Sequence, residues 1–166
     1  MIPAMTLPPP RARLEALLET FARQRIAVIG DLALDEFVHG RTTRISREAP
    51  VLVLRHEGTD RVPGCAGNAA RNVTGLGGAA VAAGLCGDDD DGARLLALLA
   101  ADGIDIGAVV RVPQGRTWRK SRFTAGDLHT VQQQVMRLDQ EPHYPHEERW
   151  RSALHAALKM LQSIQS

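Results

Sequence analysis

The run Ile26-Ala27-Val28-Ile29, closed by Gly30, constrains the fold more than any other segment. Its residues are small or β-branched and offer no polar side, so the segment suits a strand covered on both faces, as in a parallel sheet. Ala80 to Leu85 repeats the pattern, with a helix candidate, Gly67 to Leu76, lying before it. Upstream, Leu14, Leu17, Leu18 and Phe21 recur at helical spacing within 11–22. Phe37 to Arg41 and Val51 to Glu57 are strand-like, and the second alternates, so the two form a hairpin flap over about 37–57. Asp88 to Asp91 lead into a helix over 93–101, stopped by Asp102-Gly103. Thr117 to Thr124 and Thr130 to Leu138 read as strands joined by the turn Ala125-Gly126-Asp127, and His146 to Ile164 as a closing helix. Helices interleaved with strands in this order predict an α/β layer architecture with a partly parallel sheet. There is no internal repeat.

Composition bounds the function. A chain of 166 residues makes one domain, with 1–10, four of them proline, as a loose arm and 11–166 as the folded body. Twenty basic against nineteen acidic side chains leave +1, which excludes a general nucleic-acid binder. No apolar run approaches the ~20 residues of a membrane span. The two cysteines, Cys65 and Cys86, form neither a metal-ligand pair nor a disulfide framework, which suits a reducing cytoplasm. The six histidines are scattered, with no helical pair at ligand spacing.

Three segments offer chemistry. Asp31 and Asp35 follow the end of the first apolar strand, where ligands of open α/β sheets bind. They either accept hydrogen bonds from sugar hydroxyls or cap a turn. In Pro63-Gly64-Cys65-Ala66-Gly67-Asn68, the glycines let backbone approach a ligand, the helix start supplies free N–H groups, and Asn68 brings donor and acceptor. Tight helix–sheet packing by small residues is the other reading. Cys65 reads as a small buried hydrophobe rather than a reactive thiol, since no His or Lys adjoins it in sequence. Lys120 and Arg122 alternate along a strand and share a face, as a phosphate site or a solvated basic edge. The Asp88–Asp91 run suits a helix N-terminus better than a Mg²⁺ site.

The spacing of Gly64, Ala66, Asn68, Ala70, Gly77 and Gly87 resembles the first signature of the ribokinase-like (pfkB) carbohydrate kinases; Pro63 departs from it. Gly30-Asp31 with Asp35, the run Thr43-Arg44-Ile45-Ser46-Arg47-Glu48-Ala49-Pro50-Val51, Thr117, Lys120, Arg122 and Gln133 to Asp139 are similar to the heptose-7-phosphate kinase branch. The resemblance spans 26–141. It implies a ribokinase-like fold with a β-flap lid that pairs two subunits. Asp35 then binds sugar hydroxyls with Asp31 beside it, Gly64 and Asn68 contact the sugar, and Lys120 and Arg122 hold its phosphate. Cys65 stands where that branch carries a second glycine.

The implied reaction is ATP- and Mg²⁺-dependent phosphorylation of C1 of D-glycero-D-manno-heptose 7-phosphate, a precursor of the lipopolysaccharide core. Its base and phosphate-facing helix come from a Gly-Ala-Gly-Asp type motif, and no Gly-x-Gly-Asp occurs here. The nearest match, Gly126-Asp127, falls in the predicted turn. The expectation is therefore a front portion of such a kinase, inactive alone. The alternatives are another carbohydrate kinase of the same fold, or a non-catalytic sugar-phosphate binder or partner subunit.

Overall fold

The computed structural model describes residues 10–126 and 131–163, and its strands divide between two sheets. In the first, β1 (Arg25–Ile29) pairs in parallel with β4 (Ala79–Gly87), which pairs in parallel with β5 (Asp105–Val112). The helices are α1 (Arg11–Thr20), α2 (Ala66–Gly75), α3 (Asp90–Ala101) and α4 (Glu147–Ser163). Strand β4 explains the layers. Ala80, Ala82 and Cys86 pack with Leu95, Leu99 and Ala70 of α3 and α2, while Val81 and Ala83 face Ala157, Leu158 and Leu161 of α4. Small side chains let these layers close tightly. At Gly84 an added Cβ would lie 2.3 Å from the Gly30 carbonyl oxygen, so no larger residue fits.

The second sheet has the order β3-β2-β6-β7. Strands β2 (Leu32–Ile45) and β3 (Leu52–Cys65) form an antiparallel hairpin, β6 (Trp118–Gly126) runs parallel to β2, and β7 (Gln133–Gln140) returns antiparallel to β6. Each hairpin strand has 14 residues, far more than the expected Phe37–Arg41 and Val51–Glu57. Bulges between His39 and Gly40 and between Thr42 and Arg44 break the alternation that a sequence pattern relies on. Pro63 is tolerated because β3 is an edge strand.

Two other expectations need correcting. Strand β1 is not buried on both faces, since Ile26 and Ile29 are 44% and 60% exposed, and among the described residues it pairs only with β4. Strand β5 lies outside the sequence expectation, because Gly107 interrupts its apolar run. Its signal was the β-branched content of Ile106, Val109, Val110 and Val112. Residues 1–9 of the expected arm (1–10), Asp127 of the predicted turn and the chain end at 164–166 lie outside the described residues.

Candidate functional site

The parallel register of β2 and β6 sets Asp35 opposite Lys120 and Phe37 opposite Arg122. Because side chains alternate along a strand, Asp35, Phe37 and His39 share one face with Trp118, Lys120, Arg122 and Thr124. Sequence periodicity predicted that Lys120 and Arg122 would share a face, and they do. The pairing with Asp35 could not be read from periodicity, because it depends on which strands become neighbours.

Asp35 Oδ1 and Arg122 Nη1 approach to 2.9 Å, with their side chains only 18% and 22% exposed. Both atoms are buried, yet neither is in hydrogen-bonding geometry with any partner. The two groups therefore hold each other as an ion pair rather than through a well-aligned hydrogen bond, which leaves the alignment of both open to change. Gly64 backs directly onto the carboxylate: a Cβ there would lie 2.7 Å from Asp35 Cγ. Any side chain at position 64 would push Asp35 aside. The Arg122 guanidinium sits 5.2 Å from the centroid of the Phe37 ring. Lys120 Nζ lies 3.7 Å from the Trp118 ring centroid and donates to Cys65 Sγ at 3.0 Å.

Cys65 overturns its expected role. It is exposed, not buried, and a lysine 55 positions along the chain reaches it. It occupies the N-cap position of α2 with φ 52° and ψ −124°, a backbone that favours glycine. Cys86 is the buried thiol, pushed up to about 11 by desolvation. The turn is held from outside by Ala66 N, which donates to Asp31 O at 2.9 Å. That bond brings the Gly30-Asp31 exit of β1 against the start of α2. Asn68 is exposed on the first turn, where helix N–H groups lack intrahelical acceptors. Asp31 is exposed and lines a cavity of about 340 Å³ with Leu32, Trp118, Tyr144 and Trp150. Asp35, Gly64, Lys120 and Arg122 are thus brought together where β2, β3 and β6 meet, Asp31 is tied to the start of α2, and Asn68 lies exposed on that helix's first turn.

The opposite face of the same sheet holds a second polar group. Glu36 Oε1 accepts from Ser121 Oγ at 2.8 Å, and Oε2 accepts from Arg61 Nε at 2.8 Å. Burial raises the Glu36 carboxyl, but the Ser121 bond and the Arg61 and Arg119 charges outweigh it and hold the group below its usual range. Arg119 Nη1 donates to Asp91 at the start of α3, at 2.9 Å. Asp89 caps that helix through Gly92 N and also accepts from Thr117 N and Oγ1; Asp88 pairs with Arg111. Three of the four aspartates are therefore committed to a helix start and its neighbouring strands, as the sequence suggested. Among the described residues no group of three or more His, Cys, Asp or Glu is placed to hold a metal ion.

The family model described as "pfkB family carbohydrate kinase" matches residues 23–153. The chain belongs to the pfkB family of carbohydrate kinases. Among curated relatives, the bifunctional protein HldE of Hyphomonas neptunium is 43% identical over 131 residues, covering 78% of this chain and 26% of the relative. HldE of Granulibacter bethesdensis is 44% identical over 125 residues, covering 75% and 25%. The chain therefore spans about a quarter of the length of these relatives. Among solved structures, phosphofructokinase-2 from Escherichia coli in complex with fructose-6-phosphate superposes with a TM-score of 0.59 at 24% identity, covering 82% of this chain and 42% of that one. A carbohydrate kinase from Agrobacterium tumefaciens gives 0.52 at 20% identity, covering 70% and 35%. These likenesses establish the ribokinase-like α/β fold, as expected. Trp118, Phe37 and Cys65, the three groups that the cations touch, were not singled out as partners from sequence. The alternation of Trp118 with Lys120 was the available signal for the first.

Proposed function

We propose that the chain grips a phosphorylated heptose for an ATP- and Mg²⁺-dependent sugar kinase acting on C1 of D-glycero-D-manno-heptose 7-phosphate in lipopolysaccharide core precursor synthesis. The observation that supports it most is the largely buried ion pair of Asp35 and Arg122, backed by Gly64 and set beside Lys120. A carboxylate accepting sugar hydroxyls next to two cations suits a sugar that carries its own phosphate. The relatives named HldE, at about 40% identity, favour a heptose over other sugars. On this reading Asp31, Gly64 and Asn68 line the sugar, and the hairpin covers it and pairs two copies. A cytoplasmic setting follows from the substrate.

The described residues do not fit the nucleotide or Mg²⁺. Asp88, Asp89 and Asp91 of the 88–91 run are engaged by Arg111, Thr117, Gly92 and Arg119, and no Gly-x-Gly-Asp supplies a base. No transfer step is assigned to this chain. Its own residues bind and orient the sugar, and purified alone it should show no ATP-dependent phosphorylation.

Titration calorimetry with heptose 7-phosphate and the unphosphorylated heptose tests the binding role. The chain should prefer the phosphorylated sugar. Replacing Lys120 and Arg122 together by alanine should weaken that sugar far more than the other. Equal loss for both would remove the phosphate-binding role, and robust turnover by the chain alone would overturn the non-catalytic assignment.

A further inference from the structure

Strand β7 brings two more charges to the sugar face. Arg137 is in register opposite Arg122, and Asp139 opposite Lys120. Two guanidinium groups directly opposite across an antiparallel pair repel each other. Here each has a carboxylate: Arg122 has Asp35, and Arg137 takes Asp139 through two bonds of 2.7 and 2.6 Å. Lys120, by contrast, donates to a thiol. Lys120, Arg122 and Arg137 against Asp35 and Asp139 leave this patch one positive charge in excess. His39 and Asp60, further along the same face, pair with each other at 2.9 Å.

The Arg137–Asp139 pair differs from its neighbour in exposure. Its side chains are 44% and 30% exposed, and exposed ion pairs are weak and easily exchanged. Arg137 holds the Asp139 carboxyl below its usual range by hydrogen bonding, with Lys120 and Arg122 adding to the effect, so Asp139 stays ionised at neutral pH. A phosphate monoester offers two negative charges and a fork-shaped oxygen edge to the same guanidinium, and a single carboxylate cannot match it.

We infer that Asp139 is a placeholder anion: it keeps Arg137 turned toward Arg122, and the phosphate of the bound sugar displaces it and takes Arg137 as a third cationic ligand. Because the sugar-phosphate role of this face is itself proposed above, the inference stands on that role and adds to it one ligand and one competitor. Removing this acidic residue from the site should therefore strengthen binding.

The experiment is calorimetry on the whole chain at low salt, with heptose 7-phosphate and the unphosphorylated heptose as probes. Asp139→Asn should tighten the phosphorylated sugar by about three- to fivefold, the scale of one exposed ion pair, and leave the other sugar unchanged. Arg137→Gln should weaken the phosphorylated sugar, and adding Asp139→Asn to it should then have no further effect, as a coupled pair requires. If the wild-type chain prefers the phosphorylated sugar but Asp139→Asn leaves its affinity unchanged or lowers it, the placeholder is wrong and the sugar site stands. A wild-type chain that binds neither sugar, or both alike, overturns the sugar-phosphate role and the inference with it.

Discussion

Asp35 and Glu36 are consecutive residues of one strand, and the sheet gives them opposite fates. Glu36, on the underside, has both carboxylate oxygens filled, by Ser121 and Arg61. Asp35, on the upper side, touches Arg122 without a hydrogen bond and is backed by a glycine. The strands are the same, and the neighbouring cations alternate between them: Arg119 below, Lys120 and Arg122 above. The difference lies in completion. A polar group whose valences are all met inside the protein stabilises the fold; one left open beside a cleft is available to something else.

The sharpest way to break this contrast is to alter each carboxylate. Glu36→Ala strands the Arg61 charge and the Ser121 hydroxyl beneath the sheet. It should cost about 3 kcal/mol, as expected when one partner of a buried pair is removed, visible as a lower denaturation midpoint. Asp35→Asn keeps a neutral acceptor beside Arg122, so it should lower that midpoint less than Glu36→Ala does, and should lower heptose 7-phosphate affinity by roughly tenfold or more, the scale of a hydrogen bond to a charged group. A result in which the two substitutions exchange effects would dissolve the distinction between the faces.

Cys65→Gly comes next. It removes a side chain from a backbone conformation that favours glycine, a strain of roughly 1–3 kcal/mol, partly offset by the added freedom of glycine in the unfolded chain. The melting temperature should rise by an amount corresponding to about 1 kcal/mol. No rise, or a fall, would mean that the Lys120 contact stabilises more than the backbone strains.

The smallest effect concerns acid. Glu36 and Asp89 lie below their ordinary values of 4.5 and 3.8; in each, burial opposes hydrogen bonds that win. Groups depressed on folding add stability that is whole above their unfolded values and is lost as pH falls through the folded ones. Asp91, raised chiefly by burial despite Arg119, works in the other direction and is relieved on protonation. Stability should therefore decline as pH drops below about 4.5, and Glu36→Gln should flatten that decline in a series of denaturation curves. An unchanged acid limb would remove Glu36 from the account.

Much of the α/β order was legible because it rests on local patterns: the apolar run of β4, the leucines of α3, and the acidic start of that helix. The β-flap was legible in place but not in extent. Its bulges and its edge proline hide the period of two. At the site, Gly64, Asn68, Lys120 and Arg122 were visible as residue types at telling positions. Their partners were not. The contacts of Asp35 with Arg122 and of Cys65 with Lys120 join segments 87 and 55 positions apart, and only the order β3-β2-β6-β7 brings them together.

The uncovered flank of β1 has a consequence for handling the molecule. Among the described residues no strand pairs with its outer edge, and Ile26 and Ile29 are open to water. Such a border recruits any extended peptide that can zip onto it. Concentrated solutions should thus grow larger particles with time, and a short complementary strand added in excess should keep the chain dispersed.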